Sequence, residues 1–149
     1  MIICQEKPLK SFATFLEKAR ALDWSPIVYQ LMQSRNGPQW TQTKTFNVLT
    51  QYIAFLYLVD AYPQYGLVPS SDVDQIWHYH ILDTQKYAED CETLFGRMVH
   101  HSPYLGRHGE QDRRYQRSAH GVTQALIQNI LGKSSVYHGT QPADCEPIR

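Results

Sequence analysis

The 149-residue chain predicts an all-α fold: one compact helical domain of about five to six helices with a histidine-rich loop. Three observations predict it. Apolar residues recur at three- and four-residue spacing in several windows. Helix-starting and helix-ending residues bracket those windows. No run carries the alternating pattern of a half-buried strand, and only the neighbourhoods of Met98 and Val136 leave room for a short hairpin. Hydrophobic residues make up 42%, enough for a core in a chain that buries about 70% of its unfolded surface.

The elements follow in order. Phe12, Phe15, Leu16 and Ala19 share one helical face, and Ser11 offers a hydroxyl cap, so a helix is expected over residues 11–20. A short second helix is expected over 26–32, with Pro26 in its first turn and Asn36-Gly37-Pro38 beyond its end. The strongest helix signal covers 43–61. Phe46, Leu49, Ile53, Phe55, Leu56 and Val59 wrap much of that helix, which makes it the buried spine. Ser70 and Ser71 followed by Asp72 mark the next helix start, over 72–82. Asp83-Thr84 re-caps a helix over 84–95, and Gly96 fits its end. Residues 100–109 carry Pro103, Gly106 and Gly109 and read as loop. A last helix is expected over 110–131, with an interruption open near Gly121. One domain therefore spans 1–135, and 136–149 is expected to be a loosely ordered tail.

Charge excludes some partners. Lys+Arg and Asp+Glu both total 14, so overall charge gives no steering toward nucleic acid or an anionic membrane. Arg107, Arg113, Arg114 and Arg117 cluster locally, but Glu110 and Asp112 interleave them, as on a solvated helix face. The longest apolar stretch, 52–59, is far too short to span a bilayer. With no stretch reading as a leader, cytoplasmic residence is the default expectation. Three cysteines, Cys4, Cys91 and Cys145, are too few and too scattered for a disulfide framework. Neither a glycine-rich phosphate loop nor a G-x-S-x-G elbow is present.

Chemistry concentrates in one window. Five of the seven histidines, His78, His80, His100, His101 and His108, fall there, with Asp74, Asp83, Asp90 and Cys91 among or beside them. Imidazole and thiolate are ligands for zinc and similar ions. Asp74 and His78 are four apart and share a helix face. His78 and His80 are about 200° apart around a helix, so both reach one ion only if the helix ends near His80. A hydrogen-bonded structural network and metal-free catalysis remain open alternatives on the residues alone.

The residues Val73-Asp74-Gln75-Ile76-Trp77-His78-Tyr79-His80-Ile81-Leu82, then Tyr87, Asp90-Cys91 and His100-His101, resemble the glycine-rich domain-containing protein family. The resemblance implies that Asp74, Trp77, His78, His80, Tyr87, Asp90, Cys91 and His101 are the characteristic positions. It covers about a fifth of the chain and carries no established reaction.

On that basis His78, Cys91 and His101 are the expected ligands, with His80 as fourth ligand or catalytic base. Asp74 is expected to orient an imidazole. Zinc comes first as the cofactor, with iron or copper also compatible. The expected function is metal binding, extending to a metalloenzyme acting on a small molecule. The alternative is a non-catalytic interaction module, with a protein partner and a structural His/Cys/Asp cluster.

Overall fold

The computed structural model describes residues 9–101 and 109–132. Cys4, Cys145, Arg107, His108, Val136 and the expected tail lie outside the described residues. Six α-helices and one 3-10 turn make up the fold, and no strand occurs among the described residues. No described helix is long and apolar enough to cross a membrane.

Helix α1 (Leu9–Arg20) begins two residues before Ser11, which therefore sits in its first turn instead of capping it. It delivers Phe12, Phe15 and Ala19 to the core. Helix α2 (Ser25–Met32) carries Pro26 in its first turn and buries Ile27 and Leu31. Between them, the Trp24 indole N–H donates to the Ala19 carbonyl at 2.7 Å.

Helix α3 (Gln42–Ala61) starts where the Thr41 hydroxyl accepts from the Lys44 N–H at 3.2 Å. Residues 51–58 are all buried. A helix covered on every side must have neighbours all round, and α3 packs against α1, α2, α4 and α6. Tyr62 ends it, and a 3-10 turn at Pro63–Tyr65 leads to Gly66, whose φ of 55° is left-handed. The next helix, α4 (Ser71–Leu82), is capped by the Ser70 hydroxyl, which accepts from the Val73 N–H at 3.2 Å. Asp72 and Asp74 lie in its first turn, the favourable end of the helix dipole for acids.

Asp83 breaks the chain, and α5 (Thr84–Phe95) follows, ending at Gly96 with φ 69°. Helix α6 (Glu110–Leu131) runs through Gly121 without interruption. A glycine costs an α-helix about 1 kcal/mol, a penalty that packing overrides. The packing here is the burial of Gln116, Ala119, His120, Thr123 and Ile127 on one face of α6, which lies against α3.

Candidate metal centre

Helix α4 presents its two histidines to different surroundings. His80 is 1% exposed. Its Nδ1 lies 2.8 Å from the Tyr52 hydroxyl on α3, and its Nε2 lies 2.8 Å from Asp90 Oδ2 on α5. Lys86 Nζ donates to the same Asp90 oxygen at 2.8 Å. Trp24 and Tyr87 pack edge-on against the imidazole. Burial pushes the His80 pKa below its ordinary value, with the Asp90 hydrogen bond opposing it. Burial also holds Tyr52 protonated, well above the usual tyrosine range. The arrangement that satisfies all three groups has Tyr52 donating to Nδ1 and Nε2–H donating to Asp90. Both ring nitrogens of His80 are thus engaged within the protein.

The other face of α4 carries Asp74, Trp77 and His78. The turn after Gly96 brings His101 onto it. Trp77 Nε1 donates to the Tyr87 hydroxyl at 3.1 Å, and that hydroxyl donates to the Val99 carbonyl. Val99 is so fixed two residues before His101. The His101 ring then stacks with Trp77, centroids 4.2 Å apart, and with His78, centroids 5.1 Å apart. His101 Nε2 lies 2.6 Å from Asp74 Oδ1, and His78 Nε2 lies 3.4 Å from Asp74 Oδ2. Among the described residues this trio is the group whose ligand atoms could surround one ion, all within 4.8 Å of one another.

Ligands about 2.1 Å from a tetrahedral or octahedral ion lie about 3.0–3.4 Å apart. The His78–Asp74 spacing of 3.4 Å falls there, and the 2.6 Å contact of His101 with Asp74 is a hydrogen bond that an ion would have to replace. The side chains are graded in exposure, with Asp74 at 5%, His101 at 11% and His78 at 31%. The trio is therefore rooted in the protein and reachable from outside. Two cavities meet at it. One of about 390 Å³ takes in Asp74, Trp77 and His101, and one of about 360 Å³ takes in His78, Tyr87, Val99 and His101.

Of the four expected ligands, His78 and His101 are brought together, while His80 and Cys91 lie outside the trio. Cys91 is buried and unpaired by any disulfide. Burial pushes its thiol pKa up, against a hydrogen bond with the Val99 backbone. A metal-binding cysteine has to ionise, which this setting disfavours. Asp74, expected to orient an imidazole, lies 2.6 Å from His101 Nε2 and 3.4 Å from His78 Nε2, so the same carboxylate is placed either to orient these rings or to share an ion with them. His100 is exposed, and His101 is the loop histidine turned onto α4. The roles of Tyr52 and Val99 had no sequence signal, because their partners are 28 and 12 residues away.

A family model described as UCP032817-like matches residues 14–123. Glycine-rich domain-containing protein 1 of Arabidopsis thaliana is 34% identical over 82 residues, which cover 52% of this chain and 10% of that protein. Glycine-rich domain-containing protein 2 of the same plant is 29% identical over 82 residues, with the same shares. The chain thus matches only about a tenth of the length of these curated relatives. These matches agree with the resemblance carried by the motif residues. No solved structure matches the chain.

Proposed function

Because the chain belongs to the UCP032817-like family, whose description names no reaction, we propose its function from the site: Asp74, His78 and His101 hold one divalent transition-metal ion. The observation that supports this is the convergence of three ligand atoms from two separate elements within 4.8 Å. Three protein ligands leave coordination positions open, as catalytic sites do and closed structural sites do not. Two histidines and one carboxylate suit zinc and iron(II) alike. Trading the expected thiolate for a carboxylate gives iron a stronger claim. A bound ion would supply Lewis acidity and an acidified water. The chain's own part is to fix the imidazoles, through the Trp77 stack and the Val99 anchor, and to present them to the two cavities.

A metal titration of stripped protein tests this. The expected result is uptake of about one equivalent of zinc or, anaerobically, iron(II). His78→Ala, His101→Ala and Asp74→Asn should each weaken uptake at least about tenfold, by loss of a ligand. Cys91→Ala should keep the full equivalent. Loss of the ion in Cys91→Ala with retention in His101→Ala would overturn the ligand set.

A second reading rests on the 2.6 Å contact between His101 and Asp74. That bond alone can latch the segment after Gly96 onto α4. Wild-type protein that takes up neither ion, yet loses stability in Asp74→Asn, would favour the latch.

A further inference from the structure

The larger cavity has a mostly apolar and aromatic lining that includes Tyr62, Leu67 and Trp77. Asp74 and His101 line it as well, with His100 and Gln116 as further polar groups. At Gly66 a side chain would meet the Tyr115 hydroxyl of α6 at 2.7 Å, so the left-handed glycine lets α6 close this wall. A volume of about 390 Å³ falls within the range of small-molecule sites.

Charge decides what sits there. Among the described residues, no Lys or Arg lines the cavity. Asp74 alone repels an acid. Asp74 with two neutral imidazoles and a divalent ion carries a net positive charge, and an open coordination position attracts a carboxylate. We infer that the cavity binds a small, flat, aromatic carboxylate, its ring among Tyr62, Leu67 and Trp77 and its head on the ion held by Asp74, His78 and His101. This rests on the metal reading above and adds the ligand class to it. Flat rings suit the aromatic walls, since offset and edge-on ring contacts add to plain burial.

Calorimetric titration with 2-naphthoate and with its neutral isostere 2-naphthamide tests the inference. Each probe is added to zinc-loaded and to metal-free protein. The expected result is naphthoate binding at least about tenfold tighter to the zinc-loaded form, with the amide showing no such gain. Leu67→Trp, which fills the wall and touches no ligand, should keep one equivalent of zinc and lose naphthoate binding.

The failures separate. Zinc uptake with equal binding of acid and amide, or with no binding of either, overturns the ligand class and leaves the metal reading standing. Naphthoate binding undiminished in Leu67→Trp overturns the location. Absence of zinc uptake overturns the metal reading and the inference with it, even where naphthoate binds the metal-free protein.

Discussion

Tyr52 shows how a single side chain decides what a neighbouring histidine can do. Its hydroxyl occupies His80 Nδ1 in a place where neither group meets water. Tyr52→Phe leaves that nitrogen buried without a donor, at a cost of about 1–3 kcal/mol. Urea denaturation should show that loss. Metal uptake should be unchanged, because Asp74, His78 and His101 do not use the Tyr52 hydroxyl. A drop in uptake matching the loss in His101→Ala would bring His80 back among the ligands. The same contrast explains Cys91. Its sulfur lies close in sequence to the ligands, yet burial keeps it a thiol.

At the level of elements, α4 serves two networks from two faces, and α6 closes the domain over α3. The face of α6 against the core is partly polar. His120 is 9% exposed, and its Nε2 has no hydrogen-bond partner among the described residues. Burial lowers its pKa from the ordinary value. The sign follows from proton counting. Well above the ordinary imidazole pKa of about 6.5 the ring is neutral in both folded and unfolded chains, and pH has no leverage through it. As pH falls below that, the unfolded chain takes up the proton first, so the fold loses stability. His120→Gln removes this component. Its urea midpoint should therefore fall less than the wild type's between about pH 7.5 and about pH 5.5. Equal falls in the two proteins would show that α6 stays docked without reference to His120.

Across the whole molecule, the core does not depend on the site. It runs from Phe12 in α1 through α3 to Leu94 in α5 and Ile127 in α6. Most of its residues touch neither cavity. Chelation should leave the helical circular dichroism signal intact. The ion's contribution to stability should follow mass action, about 2.7 kcal/mol at one hundred times its dissociation constant. Collapse of the fold on chelation would mark the ion as structural. The helices themselves were legible in the sequence, because periodicity and capping are local. Ser70 announces one start and Gly96 announces an end, and the Thr41 cap of α3 shows only in the structure. Gly121 misled only as far as a local penalty can, since packing against α3 outweighs it. The site was legible as a neighbourhood of histidines. Its division into two faces was half visible in the spacing of His78 and His80. The rest lay in contacts such as Tyr52 with His80 and Val99 with Tyr87, which no local pattern encodes.

The stack of Trp77 against His101 has an optical consequence. The imidazole lies against a face of an indole that is itself buried, so its departure would bring water to that face. The chromophore therefore reports whether the segment after Gly96 is seated. In a protein whose Trp24 and Trp40 are replaced by Phe, unseating of His101 would shift the remaining emission toward the red. The molecule carries its own gauge of the clasp, readable in a cuvette without any added dye.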